Sequence, residues 1–233
     1  MLCQRFKKKS KPLFLKTDGA GNLSFSSDLP TTSFTGATVE TSIADADLVL
    51  IYDDSATAVR KMTKANLVSG IGASAGQVIQ VVSTTKQDVF SASNTSGTFT
   101  DITGLSVSIT PSSASNKILI ICHIVASLDN DTNRQFITIK RGGAQIAAAS
   151  GTASGDRFST TTISAQSTIN TATTHFFNFL DSPSSTSSLT YQVAMTQGSG
   201  STISIYVNRS GDDSDNTYIG RAASTITVME IKG

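Results

Sequence analysis

The sequence is short of several things. It has no tryptophan, four prolines, two histidines and two cysteines, and its only glutamates are Glu40 and Glu230. Charged residues make up 15%, against about 25% in an average globular chain. So little Glu removes the residue that most often builds exposed helix faces and helix-start capping boxes, which argues against a helical protein. Cys3 lies in a basic stretch and Cys122 in an apolar one, so no disulfide framework is expected. No apolar run approaches the roughly 20 residues of a membrane helix. The apolar stretch behind the basic N-terminus is only Leu13-Phe14-Leu15, too short for a signal-peptide core, so the expectation is no Sec export and no membrane insertion.

Serine and threonine fill the space left by charge, with 35 Ser and 32 Thr in 233 residues. Thr is branched at Cβ and fits strands, and both residues fit turns. An all-β chain is therefore expected. The net charge of +1 hides an asymmetry. Arg5, Lys7, Lys8, Lys9, Lys11 and Lys16 lie in the first sixteen residues with no acid among them, which leaves the rest of the chain at −5. A mildly acidic body gives no nucleic-acid surface. The basic run reads as a solvated tail or as an arm docking on an acidic protein surface.

Three zones follow. In residues 1–35, Leu13-Phe14-Leu15-Lys16 and Leu23-Ser24-Phe25 flank Thr17-Asp18-Gly19-Ala20-Gly21-Asn22. An Asp-Gly step between apolar segments is a hairpin signal, and a lone hairpin is marginal in water without a partner surface. In residues 36–76, Leu48-Val49-Leu50-Ile51-Tyr52 predicts a strand. Residues 53–57 predict a turn, 58–62 a return strand, and Thr63 a cap on a short helix that ends at Gly70. This unit is too small to bury a core of its own, so sharing between copies or packing on another protein is expected. Gly70-Ile71-Gly72-Ala73-Ser74-Ala75-Gly76 reads as a linker.

Residues 77–233 predict one β domain. Strand signals fall at 78–82, 97–102, 105–109, 117–125, 135–141, 157–163, 175–180, 189–195, 202–207 and 225–231. Alternation is clean in Leu105/Val107/Ile109, Leu189/Tyr191/Val193/Met195 and Ile203/Ile205/Val207, which puts one face of each inward. The segment 117–125 is nearly all apolar, as in a central strand covered on both faces. About ten short strands with turn clusters between them make a β-sandwich or jelly roll.

Catalytic signals are weak. Cys122 and His123 are neighbours on a predicted strand and point to opposite faces, so they cannot act as a nucleophile–base pair. Gly70-x-Gly72 does not open a helix after a strand. The run Gly211-Asp212-Asp213-Ser214-Asp215-Asn216 has oxygens that suit Ca²⁺ but lacks the spacing of a cation loop, so it reads as a solvated turn. No metal, cofactor or catalytic residue is assigned.

Three segments carry a resemblance to bacteriophage virion fibre proteins. Residues 15–25, Leu-Lys-Thr-Asp-Gly-Ala-Gly-Asn-Leu-Ser-Phe, resemble the hairpin repeat of phage tail fibres. Ala44-Asp45-Ala46-Asp47-Leu48-Val49-Leu50-Ile51-Tyr52-Asp53-Asp54-Ser55, followed by Arg60-Lys61-Met62-Thr63-Lys64-Ala65-Asn66-Leu67, is similar to a segment of marine-phage fibre proteins. The last 157 residues resemble jelly-roll fibre tips, most clearly at Pro111-Ser112-Ser113-Ala114-Ser115-Asn116-Lys117-Ile118-Leu119-Ile120. The chain departs from long tail fibres in being short, with no extended shaft.

The resemblance implies a homotrimer located on the virion. It implies attachment to other virion proteins through the N-terminal zone, with Arg5, Lys7, Lys8, Lys9, Leu13, Phe14 and Leu15 as docking candidates, and a C-terminal jelly roll that recognises a glycan or protein of the host surface. Contact is expected from loops on a rigid sandwich: Asp129, Asn130, Asp131 and Asn133; the segment 181–188; and Asp212, Asp213, Asp215, Asn216 and Tyr218. The leading expectation is a non-enzymatic tail fibre or receptor-binding protein. A head fibre or capsid-decorating protein of the same architecture is the alternative, and a glycan-degrading fibre the third reading.

Overall fold

The computed structural model describes residues 14–17, 23–26, 43–56, 58–70 and 74–233. The chain divides into two compact units, Met1–Gly72 and Ala73–Gly233. Arg5, Lys7, Lys8, Lys9 and Leu13 lie outside the described residues.

In the first unit, β1 (Phe14–Thr17) pairs antiparallel with β2 (Leu23–Ser26), which puts the expected hairpin in place. Phe14 and Leu15, two of the docking candidates, are the first residues of β1. β3 (Leu48–Asp53) pairs with β4 (Ala58–Thr63), and α1 (Lys64–Gly70) follows without a break. Thr63 Oγ1 accepts the Asn66 amide at 3.3 Å and so caps the helix. The Lys64 amide donates to Asp47 O at 2.8 Å, and the Lys64 ammonium pairs with Asp45 at 3.0 Å.

The second unit is nearly all strand: β5 (Val78–Lys86), β6 (Phe90–Thr95), β7 (Thr100–Ile109), β8 (Lys117–Leu128), β9 (Arg134–Arg141), β10 (Ala144–Gln145), β11 (Thr162–Ala165), β12 (Thr173–Asp181), β13 (Leu189–Gln197), β14 (Thr202–Val207) and β15 (Ser224–Ile231). Two antiparallel sheets contain them. β14 and β15 pair end to end along one edge of β8, and β6 and β5 continue outward from them, so each pair occupies one strand position. The first sheet then reads β5/β6, β14/β15, β8, β12, and the second β7, β13, β9, β10/β11. With the eight positions numbered along the chain, the sheets are 1-8-3-6 and 2-7-4-5. That is the wrapping of a jelly roll.

The core fills the space between the sheets. β8 contributes Ile118, Ile120, Cys122, Ile124, Ala126 and Leu128, β9 contributes Ile137 and Ile139, β13 contributes Tyr191, Val193 and Met195, and β15 contributes Ile226 and Val228. Burial pushes the Cys122 thiol well above its ordinary range, as suits an inert packed side chain. His123, its neighbour, is half-buried on the opposite face.

Four differences from the sequence expectations have physical causes. Residues 97–102 and 105–109, read as two strands, give the single β7, which begins at Thr100 and leaves 97–99 in the preceding turn. Gly104 (φ +83°) bends it beside a register shift in β13, and the Gln192 amide fills the irregularity by donating to Ile102 O and Leu105 O at 2.8 and 3.1 Å. β6 was missed because its inner face carries Asn94, which is 1% exposed and satisfied by Thr98 O, Thr100 and Thr196. Residues 157–161, read as strand, instead cross the outside of the second sheet, and only Thr162–Ala165 joins it. The outer face of β8 at Leu119, Ile121, His123 and Val125 is half-open, where cover on both faces was expected.

Candidate functional site

The expected contact loops do not meet at one place. Residues 129–133 and 208–223 lie together at the Leu128 end of β8. Asp181 lies at the other end, opposite Ile118.

The segment 208–223 interrupts one strand position, leaving the sheet after Val207 and re-entering at Ser224. Its base is stapled. The Asn208 amide donates to Val125 O at 2.8 Å, and its side-chain nitrogen donates to Lys86 O at 2.8 Å and Asp88 O at 3.0 Å. Ser224 Oγ donates to Asn208 Oδ1 at 2.6 Å and accepts the Val125 amide at 3.0 Å. Farther out, the Arg209 guanidinium lies 4.1 Å over the Tyr206 ring and pairs with Asp213 at 3.2 Å. Arg221 also pairs with Asp213, and its hydrogen bond, helped by Arg209, holds that carboxyl below the usual carboxylate range. Asp212 accepts the Ser214 amide and hydroxyl at 2.9 and 3.0 Å. Two acids of the run 211–216 thus have partners within the segment 208–223, and among the described residues no group of three His, Cys, Asp or Glu could hold a metal. Tyr218 stands out at 71% exposure.

Neighbouring connections lock this segment. The Asp212 amide donates to Ile169 O at 2.9 Å, and the Ile169 amide donates to Asp131 Oδ1. Gln166 Nε2 donates to Leu128 O and Asn130 O at 2.9 and 3.0 Å, while its Oε1 accepts the Leu128 amide at 2.8 Å. Asn133 is 7% exposed and accepts the Arg134 amide at 2.7 Å. Asp131 therefore ties two connections together, while the Asn133 side chain acts locally and its carbonyl accepts the Gln166 amide at 2.7 Å. Of the candidates, Asp129, Asp131, Asp213, Asp215 and Tyr218 are exposed, while Asn130, Asp212 and Asn216 are half-buried.

Beside this end lies a cleft of about 490 Å³ lined by Arg134, Phe136, Asp156, Arg157, Phe158, Thr160, Ile163 and Gly198. The Phe136 and Phe158 rings meet edge to face, with centroids 5.1 Å apart and planes at 82°. Two glycines make room for them: a Cβ at Gly198 sits 3.0 Å from Phe136, and one at Gly97 sits 3.2 Å from Phe158. The position of Gly198 is also 3.5 Å from Asn133 Oδ1, so the cleft adjoins the locked loops. Ile163 is 54% exposed at its wall. Phe136, Arg157, Phe158, Thr160 and Ile163 were missed because 135–141 and 157–163 were read as plain strands. The visible signal was an arginine beside or one residue away from a phenylalanine, in Arg134-Gln135-Phe136 and again in Arg157-Phe158.

A second cleft, of about 430 Å³, includes Arg141, Phe179, Leu180 and Asp181 in its lining. Its polar groups satisfy one another: Arg141 and the Tyr191 hydroxyl donate to the same Asp181 oxygen at 2.5 and 2.7 Å. Burial raises the Tyr191 phenol above its ordinary range, with Asp181 adding to the shift, and the hydrogen bond to Asp181 raises Arg141. Asp181, 5% exposed, is a structural acceptor and not a contact residue.

No family model matches the chain. No curated protein matches it either. Among solved structures it is similar to infectious bursal disease virus Gt strain (15% identity, TM-score 0.34, covering 84% of this chain and 47% of that one). It is also similar to the Gx strain of that virus (15%, 0.35, 80% and 42%) and to its VP2 subviral particle (15%, 0.33, 83% and 49%). The chain spans about half the length of these proteins. At such identity and TM-score the likeness defines neither family nor activity, and the jelly-roll assignment rests on the strand order.

Proposed function

We propose that this chain is a trimeric fibre subunit of a bacteriophage virion, a tail fibre or receptor-binding protein that recognises a host-surface glycan with the Leu128 end of its jelly roll. The observation that carries the reading is the cleft of Phe136, Phe158, Arg134 and Arg157 beside three cross-locked connections. Ring faces take the apolar faces of sugars, guanidinium forks take carboxylates or hydroxyls, and a hydrogen-bonded base keeps the ordering cost of binding low. The fibre resemblance of the sequence supplies the virion context. In this reading the N-terminal zone docks on other virion proteins and the protein is not an enzyme.

The test is adsorption of purified protein to host cells, with Arg157→Ala/Phe158→Ala and Tyr218→Ala compared with wild type. The expected result is a loss of tenfold or more for the cleft variant and a smaller loss for Tyr218→Ala. Unchanged adsorption by both, with the proteins folded, overturns this placement of the site.

A further inference from the structure

The two sheets are treated differently on their outer sides. The second is roofed by the chain itself. Thr160 Oγ1 donates to Ile137 O at 2.7 Å, Gln145 Nε2 donates to Ser150 Oγ and Ser159 O at 2.8 and 3.0 Å, and Thr138 beneath them is 0% exposed. Among the described residues 74–233, nothing covers the first sheet. Its register aligns the outward residues in rows across four strands. Leu180, Leu119, Met229 and Val81 form one row, Asn178, Ile121, Thr227 and Ser83 the next, and Phe176, His123, Thr225 and Thr85 a third, with Lys117, Ile231 and Val78 at the end. Eight of these fifteen residues are apolar, and Lys117 is the only Lys, Arg, Asp or Glu. Phe176 is 64% exposed, Val81 55%, Val78 52% and Leu180 45%.

Isolated exposed apolar residues are ordinary, but a contiguous sheet of them is not. Four strands about 4.8 Å apart and about eight residues long make a face of roughly 500 Å² in plan. A pleated surface of that plan exposes more area than its outline. It therefore approaches the ~800 Å² per partner of a stable protein interface. Its composition selects the partner. A face whose one charge, Lys117, lies at its end offers little to an acidic or basic surface. It does offer a like face both apolar area and hydroxyls already paired within the sheet, as Ser83 Oγ is with Thr227 Oγ1 at 2.8 Å.

We infer that the outer face of β5, β15, β8 and β12 is buried against other copies of this chain, as the apolar lining between jelly rolls of the trimer. This rests on the trimeric part of the proposed function and adds to it the surface that does the joining. Recognition is left to the loops at the Leu128 end and the cleft beside them.

The experiment measures the mass of the full-length protein by light scattering at micromolar concentration, for wild type, Val81→Lys/Phe176→Lys and Tyr218→Lys. Both face residues are more than half exposed, so the lysines are compatible with the folded subunit, and circular dichroism checks that the β spectrum is kept. The expected result is three subunits for wild type and Tyr218→Lys, and a threefold fall in mass for the face variant. A face variant that stays trimeric overturns the assignment of this face while the trimer stands. A monomeric wild type overturns both, and assigns the face to residues 1–72 or to a different virion protein. Neither outcome touches the adsorption test of the cleft.

Discussion

His175 donates its Nε2 proton to Gln135 Oε1 across 2.9 Å, in the space between the two sheets. The direction of that bond is set from outside. Gln135 Nε2 donates to Gln166 Oε1 at 3.0 Å, and Gln166 in turn donates to two backbone carbonyls of the 128–133 connection. The amide oxygen of Gln135 is thus the atom left for the imidazole. One buried chain of side chains runs from β12 through β9 to the loop end.

The first prediction concerns acid. Burial holds His175 at a pKa of about 4, against 6.5 ordinarily. The folded protein therefore keeps it neutral while the unfolded chain takes up a proton. Stability from this group is complete above pH 6.5 and is lost as pH falls towards 4, at about 1.4 kcal/mol per pH unit. Urea denaturation at pH 7.5 and pH 4.5 should differ by roughly 2–3 kcal/mol. The His175→Gln variant should show a flatter profile over that interval. An equal slope in both proteins refutes the assignment.

A second prediction concerns Glu230, which is 2% exposed. Burial raises its carboxyl, and hydrogen bonds from the Asn116 side chain and the Ser112 amide and hydroxyl outweigh that, leaving it below the usual range. All three donors meet Oε1, at 2.6, 2.6 and 2.8 Å. Glu230→Ala strands them and should cost about 2–4 kcal/mol in urea denaturation. Exposed Asp215→Asn should stay within about 0.5 kcal/mol. A depressed folded pKa gives stability that is present above the unfolded value of 4.5 and is lost below it, so wild type should show a second acid phase under pH 4.5 that Glu230→Gln lacks.

Third, Tyr191 and Arg141 share one oxygen of Asp181. Tyr191→Phe removes one buried hydrogen bond and should cost about 1–2 kcal/mol. Asp181→Ala leaves a guanidinium and a phenol without their acceptor and should cost more, about 3 kcal/mol. The double variant should cost less than the sum of the two single ones, read from denaturation midpoints. Strict additivity contradicts the shared acceptor.

Fourth, a Cβ at Gly211 falls 2.3 Å from Leu128 O and 3.1 Å from the Ile169 side chain. In Gly211→Ala the segment 208–223 must move off the neighbouring connections. The Asp212 amide, bonded to Ile169 O in wild type, should exchange its hydrogen at least tenfold faster, while the Tyr191 amide in the core keeps its protection. Unchanged exchange at Asp212 counts against the lock.

Much of the fold could be read in advance where burial follows period two. Leu105, Val107, Ile109, Tyr191, Val193 and Met195 all face the core, as their alternation indicates. The reading failed where polar side chains take core positions. Asn94, Gln135, Gln166 and His175 are each no more than 2% exposed, and their burial depends on partners distant in sequence, which a linear pattern does not contain. The loop end was legible as a cluster of Asp, Asn and Ser, but not which of its members are structural. Asp131 and Asn133 look like contact residues until Ile169 and Arg134 are seen to occupy them. The cleft was hidden for a related reason, since Phe136 and Phe158 fit a strand pattern and meet only because residues 157–161 leave it.

The excursion between Val207 and Ser224 has an evolutionary consequence. Both of its ends are fastened to β8 and to Asn208, so the sheet closes whatever lies between them. The entropy of closing a loop grows only with the logarithm of its length, about 0.6 kcal/mol per doubling. Residues 214–220, which lie beyond the contacts of Arg209, Gly211 and Asp212, can therefore be lengthened, shortened or exchanged for foreign sequence at little thermodynamic expense. Sequence change confined to this window leaves every strand of the jelly roll as it is.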